Sequence, residues 1–263
     1  MEPAELADSD AIVDEADREV GLEGLRKAGF AETFQKLRAY RKPGRLLDVG
    51  SAHGWFLDIA RDVGYTCTGI EPSVSVAKGG ASRGHTIIPG YFPSALPAEA
   101  TFDVVSFNDV FEHIPHAAAT MRSAVGHLAP GGILSIAIPS SNGFFYRLSK
   151  LLIKVGVCGP FERMWQKNFS SPHLYYFNET ILTSLAGREG LETVHRGNLP
   201  SVRLAGLWSR LAYDTSSSRV RNMAIFVTVV MAIPFLSMLP ADIDLVMYKK
   251  QTRPETRLPP AAP

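Results

Sequence analysis

Residues 45–54 read RLLDVGSAHG, and this stretch decides the fold of the chain. Leu46, Leu47 and Val49 form a short apolar run typical of a strand, and residues 50–54 are small enough to form a tight turn. The next nine residues, WFLDIARDV, carry apolar side chains at helical spacing. A strand, a turn of small residues and a helix predict an α/β fold. In such a turn, main-chain N–H groups and a helix N-terminus can approach a nucleotide-like ligand closely.

The spacing of the small residues bears on the identity of that ligand. A dinucleotide-binding fingerprint, G-x-G-x-x-G, starting at Gly50 would need glycine at 52 and 55, where the chain has Ala52 and Trp55. The stretch instead resembles the first motif of the class I S-adenosylmethionine-dependent methyltransferases, D-x-G-x-G-x-G. Asp48, Gly50 and Gly54 match that motif, and Ala52 replaces its middle glycine. The resemblance implies S-adenosyl-L-methionine as the cofactor.

The resemblance continues along the chain. It includes FDVVSF at 102–107 with the following NDVFEHIPH, LAPGGILSIAIPS at 128–140, and HLYYFNETILTSLAGREGLE at 173–192. These blocks are most similar to the branch that includes ubiquinone-type and related small-molecule methyltransferases. The implied fold is Rossmann-like, a mostly parallel seven-stranded sheet with helices on both faces, an N-terminal helix and substrate-lid insertions.

A carboxylate follows the second predicted strand, TCTGI at 66–70. Glu71 stands at the tip of that strand, where it could accept hydrogen bonds from both ribose hydroxyls. Pro72 and Ser73 follow, and Ser73 is a typical N-cap for the next helix. A solvated loop carboxylate is the alternative. The predicted cofactor-binding residues are Asp48, Gly50, Ser51, Ala52, Gly54, Glu71, Pro72, Tyr91, Phe92, Asn108 and Asp109. For Tyr91 and Phe92 the choice between flanking the adenine and packing in the core stays open.

The acceptor side is predicted from two histidines. His113 follows the fourth strand, near where the family places the methyl group, and the ordinary pKa of histidine suits proton transfer. His173 is the second catalytic candidate, and Glu112 either orients a histidine or starts a helix. The alternative for His113 is a structural hydrogen bond to its loop.

Several classes of function are set aside. The end of the fourth strand, Asn108-Asp109-Val110-Phe111, lacks the [DNS]-P-P-[YF] motif of methyltransferases that hold a planar nitrogen, and there is no basic stripe. The acceptor is therefore predicted to be a small molecule methylated at oxygen or carbon, and not nucleic acid. Two alternatives to a methyltransferase stay open: a nucleotide-binding oxidoreductase, and a domain that binds the cofactor without catalysis.

Composition predicts one domain. The 263 residues are 46% hydrophobic and 20% charged, with a net charge of +1. We expect an acidic flexible tail at 1–15, one domain at 16–250 with its cofactor half at 45–140, and a disordered tail at 251–263. Cys67 and Cys158 are far apart in the sequence, which indicates neither a disulfide framework nor a metal site. The N-terminus lacks the features of a signal peptide, so the cytoplasm is the expected location.

Two segments outside the cofactor half point to a hydrophobic acceptor. In the predicted lid insertion, 142–172, residues 147–155 form a basic amphipathic helix, with Leu148, Leu151, Leu152 and Val155 on one face. Residues 223–239 are apolar and uncharged. They favour a helix buried in a lid or pocket over an interfacial helix, and least of all a membrane span. Together the segments predict a hydrophobic or lipid-linked acceptor, met by peripheral contact at the inner membrane surface.

Overall fold

The computed structural model describes residues 23–167, 169, 171–200, 219–236 and 238–252. In chain order these contain α1 (Glu23–Leu37), β1 (Arg45–Val49), α2 (Trp55–Asp62), β2 (Thr66–Glu71), α3 (Val74–Ser82), β3 (Thr86–Pro89) and β4 (Phe102–Asn108). A 3-10 turn (Phe111–His113) precedes α4 (Ala117–Gly126), β5 (Leu128–Pro139), α5 (Phe144–Lys154), α6 (Gly159–Met164), α7 (Glu179–Arg188), β6 (Leu191–Leu199), α8 (Arg219–Leu236) and β7 (Ile243–Lys250). The predicted acidic tail and most of the predicted C-terminal tail lie outside the described residues.

The strands form one seven-stranded sheet in the order β3-β2-β1-β4-β5-β7-β6. Strands β1 to β5 pair in parallel, whereas β7 is antiparallel to both β5 and β6. The predicted Rossmann-like, mostly parallel sheet is confirmed. The carboxyl ends of β1, β2 and β4 therefore meet at one edge, where ligands of open α/β sheets bind.

Two apolar clusters cover the two faces of the sheet, as the near-continuous apolar runs of its central strands require. Alternate residues of β4 divide between them: Val105 and Phe107 join a cluster with Met121 of α4 and Leu182 of α7. Val104 lies in the opposite cluster, with residues of α1 and α2. The sheet is thus covered by helices on both faces.

The N-terminal helix α1 packs on the helix that follows the turn. The ring of Phe34 stacks on Phe56 of α2 with centroids 4.7 Å apart, and Phe30 meets the same ring edge-on at 5.2 Å. Near its end, the Tyr40 hydroxyl lies 3.5 Å from Nδ1 of His195 in the edge strand β6. The described N-terminal helix therefore packs against α2 and the edge of the sheet.

The apolar segment corrects one expectation. Residues 223–236 lie in α8, but the side chains of Met231 and Phe235 are 67% and 71% exposed, so this helix is not buried in a pocket. In α5 the helical spacing is confirmed, yet Leu151 and Val155 of its apolar face are 59% and 72% exposed. Periodicity indicates a helix but not what covers its face. None of the described helices has both the length and the apolar character needed to cross a bilayer.

Candidate functional site

The turn after β1 is shaped by residues in the left-handed region. Gly50 has φ 72°, Ala52 has φ 45° and Gly54 has φ 77°. Side chains disfavour this region, which explains the glycines at two of the three positions. A Cβ added to Gly50 would lie 2.5 Å from Cγ2 of Val110, so the turn is also closed from the β4 side. The predicted turn residues thus stand together at the carboxyl edge of the sheet.

Glu71 is held against this turn. The main-chain N–H of Ala52 donates to Oε2 of Glu71 at 3.0 Å, and the N–H of Ser73 donates to Oε1 at 2.9 Å. The Ser73 hydroxyl in turn accepts from the N–H of Val76, as expected of the N-cap of α3. Pro72, between Glu71 and Ser73, is exposed. A bond to each oxygen fixes the carboxylate, which argues against a merely solvated loop residue. Its ribose role stays a prediction.

Asp48 joins β1 to β4. Its Oδ1 accepts from the Ser106 hydroxyl at 2.7 Å and from the Asn108 amide at 3.0 Å, and the carboxyl is almost fully buried. Burial raises the pKa of Asp48 to about 7, outweighing the two hydrogen bonds, which lower it. The hydrogen bond between Asp48 and Asn108 thus connects the ends of β1 and β4 beneath the turn. Sequence reasoning missed Ser106, although a serine within the apolar run FDVVSF was a usable signal.

A second polar cluster, also missed, lies behind Gly54. Nε2 of buried His85 lies 2.8 Å from Oδ1 of Asp58, and Arg83 pairs with the other oxygen. Burial raises the pKa of Asp58, but the hydrogen bonds from Arg83 and His85 outweigh it and lower the pKa overall. A Cβ added to Gly54 would lie 2.8 Å from the His85 ring. This cluster fixes the start of α2, where Gly54 must stay small.

The two aromatic candidates differ in position. Phe92 packs edge-on against Phe107, with centroids 5.7 Å apart, and also against His127, which favours the core alternative. Tyr91 is 71% exposed, and the N–H of neighbouring Gly90 donates to the main-chain oxygen of Glu71. Tyr91 is thus accessible to a ligand, and its contact with the adenine stays a prediction, whereas Phe92 packs in the core.

The segment after β4 closes the other side of the cleft. Asp109 has φ 54°, and its N–H donates to Ala137 O in β5 at 2.9 Å. Burial raises the pKa of Asp109, while the charges of Arg26 and His113 oppose that rise. Ser51, across the cleft, is 5% exposed, and its hydroxyl has no hydrogen-bond partner among the described residues. The Ser51 side chain packs against Gly69 of β2, where an added Cβ would lie 2.4 Å from its Oγ, and the cofactor contacts of Ser51 and Asp109 stay predictions.

The predicted catalytic residues meet in one cluster of Glu112, His113 and His173. Each offers a ligand atom, and these three atoms lie within 4.8 Å of one another. The rings of His113 and His173 are 4.7 Å apart, and Nε2 of His173 lies 3.9 Å from Oε1 of Glu112. The loop carrying His173 is tied to the 3-10 turn because the N–H groups of Leu174 and Tyr175 both donate to the main-chain oxygen of Glu112. Sequence alone left the position of Glu112 open.

The two histidines differ in environment. Nδ1 of His113 lies 2.9 Å from the carbonyl of Pro172. A carbonyl only accepts, so Nδ1 carries the proton and Nε2 keeps a lone pair. His173 is 8% exposed, and burial, reinforced by the charge of His113, lowers its pKa to about 4. His173 is therefore neutral at physiological pH.

A cavity of about 410 Å³ opens beside these histidines, within the predicted lid insertion. We term it the lid cavity. It is lined by Ile153, Cys158, Phe161, Glu162, Trp165, Lys167 and Pro172. Trp165 and Pro172 connect it to the cluster, because the N–H of His173 donates to Trp165 O and Pro172 O accepts from His113. Tyr176 packs on Trp165 and His173 from below, at centroid distances of 5.2 and 5.4 Å. An apolar ligand would fit this environment.

Comparison with known proteins identifies the family of the chain. A family model described as a methyltransferase domain matches residues 23–196. A ubiquinone biosynthesis O-methyltransferase from Paramagnetospirillum magneticum is 35% identical over 114 residues, which are 40% of this chain and 45% of that protein. A trans-aconitate 2-methyltransferase from Rhodopseudomonas palustris is 30% identical over 103 residues, 38% of this chain and 40% of that protein. The chain thus spans less than half the length of these two curated relatives.

The fold is also similar to a solved structure. A SAM-dependent methyltransferase from Archaeoglobus fulgidus superposes with a TM-score of 0.55, covering 87% of this chain and 94% of that one. The two sequences are 14% identical, so this likeness concerns the fold alone. The oxidoreductase alternative is not favoured by these comparisons.

Proposed function

This chain belongs to the class I S-adenosylmethionine-dependent methyltransferase family, and we propose that it methylates an oxygen, or else a carbon, of a hydrophobic small molecule. The observation that carries the proposal is the lid cavity, whose aromatic wall shares Trp165 and Pro172 with the two histidines. The name of the 35% identical relative, an O-methyltransferase, supports oxygen as the atom methylated.

The residues of the turn fit the cofactor. Gly50 and Gly54 take the left-handed φ angles that shape the turn, and Glu71 holds two acceptor oxygens at the tip of β2. Asp109, Tyr91 and exposed Pro72 complete the proposed enclosure, while Asp48, Asn108 and Phe92 support it from behind. S-adenosyl-L-methionine supplies an electrophilic methyl group on a sulfonium, so the protein mainly aligns the acceptor and excludes water.

His113 is the residue we propose for proton removal. An acceptor hydroxyl loses its proton, its oxygen forms a bond to the methyl carbon, and the carbon–sulfur bond breaks to leave neutral S-adenosylhomocysteine. The proton goes to the Nε2 lone pair of His113, which the Pro172 carbonyl fixes in the correct tautomer. His173 lies next to it as the second candidate, and Glu112 is placed to orient His173.

We further propose that the acceptor is lipid-linked and is met at a membrane surface. The start of α5 and the segment after α8 are bonded together, because Phe144 N–H donates to Pro240 O and Phe145 N–H donates to Asp242. The two helices therefore extend from neighbouring points, and both carry exposed apolar side chains. Lys150 and Lys154 of α5 are exposed as well, which suits anionic headgroups.

The experiment is a screen with S-adenosylmethionine that carries a deuterated methyl group. Phenols with and without long apolar tails, carboxylic acids, carbon acids and amines are offered, and products are identified by mass spectrometry. We expect label on oxygen or carbon of the apolar acceptors. Label found only on amines or on small polar acceptors would contradict the proposal. Calorimetry with S-adenosylhomocysteine and with NAD tests the cofactor separately.

A further inference from the structure

Glu112 has an unusual environment for a carboxylate. It is 1% exposed, and neither carboxylate oxygen has a hydrogen-bond partner among the described residues. Buried polar groups are almost always satisfied, because leaving them unpaired costs about 1 to 3 kcal/mol, and more when they are charged. Protonation would not remove the problem, since the proton would then also lack an acceptor. The missing partner is therefore a group other than the described residues, and a bound ligand is one that could supply it.

The surroundings of Glu112 indicate what kind of partner fits. Nε2 of His173 lies 3.9 Å from Oε1 of Glu112, and the cluster's three ligand atoms lie within 4.8 Å of one another. Ligands of a tetrahedral ion at about 2.1 Å stand about 3.4 Å apart, so small side-chain rotations would bring these atoms to coordinating distance.

His113 has the hydrogen bond that accompanies metal ligation. Histidine ligands usually donate their other ring N–H to a carbonyl or a carboxylate, which fixes the tautomer. Nδ1 of His113 donates in this way to Pro172 O at 2.9 Å, leaving Nε2 as the ligand atom. On His173, Nδ1 has no partner among the described residues and Nε2 lies 2.9 Å from the amide of Gln166, which an ion could displace.

We propose that Glu112, His113 and His173 bind a divalent transition-metal ion. Two imidazole nitrogens and one carboxylate match the ligand sets that hold Zn²⁺ in catalytic sites and other first-row ions in open sites, with positions left for a further ligand. Cysteine spacing does not reveal this site, because its three residues are two histidines and a glutamate from two distant segments. The ion would lie next to the lid cavity, because His173 and His113 are hydrogen-bonded to Trp165 and Pro172 of its lining.

This inference rests on the proposed function and changes one part of it. With an ion in place, the imidazoles act as ligands, and polarisation of the acceptor oxygen by the ion, with proton release to solvent, replaces proton removal by His113. An acceptor with an oxygen able to approach the ion would then be preferred over an amine.

The test is direct binding to the full chain after treatment with a chelator. ZnCl₂, MnCl₂ and CoCl₂ are titrated by calorimetry, with CaCl₂ for comparison, and Co²⁺ binding is followed by its visible absorption bands. We expect one ion per chain and a rise in Tm with ion concentration. Glu112→Gln and His173→Gln should each weaken binding at least about 100-fold, since losing a group that only orients a ligand costs about 10- to 100-fold.

Control variants separate this site from adventitious binding. His116→Gln removes an exposed histidine outside the cluster and should leave ion affinity unchanged. If Glu112→Gln or His173→Gln unfolds the protein, His113→Gln, at a half-buried position, replaces it as the variant expected to weaken ion binding. The inference is overturned if no transition ion binds stoichiometrically, or if the cluster variants bind as the wild type does. Methyl transfer that continues in metal-free protein would overturn it while leaving the proposed function intact.

Discussion

The main-chain N–H of Ala52 donates a hydrogen bond of 3.0 Å to Oε2 of Glu71, and this contact joins the turn after β1 to the tip of β2. The other oxygen of Glu71 accepts from the N–H of Ser73. A carboxylate held at both oxygens is already oriented, so binding of a ribose there would not have to order a mobile side chain.

Replacing Glu71 tests this arrangement. Glu71→Ala should weaken S-adenosylhomocysteine binding by about 1.5 to 3 kcal/mol, the scale of hydrogen bonds to a charged group, while the fold stays intact. Calorimetry measures the affinity and thermal unfolding checks the fold. Glu99→Ala, which removes an exposed carboxylate, is the control. Unchanged affinity in the Glu71 variant would count against the ribose role.

The turn itself gives the second prediction. Gly50→Val should abolish cofactor binding, because its Cβ would stand 2.5 Å from Val110 and the residue disfavours the observed φ of 72°. Ala52→Gly should bind normally, since glycine adopts the left-handed φ of position 52 more easily than alanine does. Equilibrium dialysis with labelled S-adenosylmethionine compares the two variants. A valine variant with wild-type affinity would mean that the cofactor lies elsewhere.

Asp48 predicts how stability depends on pH. Burial raises its pKa from 3.8 to about 7, so the folded state holds this proton to higher pH than the unfolded state does. Stability is therefore lost as pH rises from about 4 to about 7, by up to about 4 kcal/mol. Asp48→Asn keeps an acceptor oxygen for Ser106 and Asn108 and removes the charge, so it should become progressively more stable than wild type over this range.

Urea unfolding of both proteins at several pH values measures this difference. Asp62→Asn, at an exposed carboxylate, should follow the wild type throughout. If the Asp48 variant shows the same pH dependence as the wild type, Asp48 does not titrate in this range.

Flotation with liposomes tests the proposed membrane contact. The wild type should float with anionic vesicles at low salt and release as salt rises, since each basic residue near the surface contributes about 1 kcal/mol. Lys150→Glu with Lys154→Glu should reduce flotation. Lys78→Glu with Arg188→Glu makes the same charge change at exposed positions of α3 and α7 and should not. A wild type that stays in solution with anionic vesicles would rule this contact out.

Features set by local sequence were predictable. The apolar run through Leu46 and Leu47, the glycines of the turn and the cap at Ser73 act within a few residues, so their pattern indicates strand, turn and helix directly. The position of Glu71 against the turn follows from the parallel pairing of β1 with β2. These local signals, together with the family resemblance, account for the order of elements and the cofactor edge.

What could not be predicted depends on contacts between distant segments. His85 meets Asp58 across 27 positions, and His173 reaches Glu112 only because its loop folds back onto the 3-10 turn. Helical spacing likewise left open what covers Leu151 and Val155, which are exposed. No local pattern encodes these approaches, because they depend on how separate loops pack.

The place of β7 in the sheet has a consequence for how the molecule assembles. This strand follows all the others in the chain, yet it lies between β5 and β6 and makes the hydrogen bonds on both sides. During synthesis β6 leaves the ribosome before the strand that pairs with it. The apolar cluster that includes Tyr248 is completed only when residues 243–250 follow. Closure of that half of the sheet is thus a late, long-range step, and a nascent chain paused before residue 243 exposes two strand edges to chaperones or to other chains.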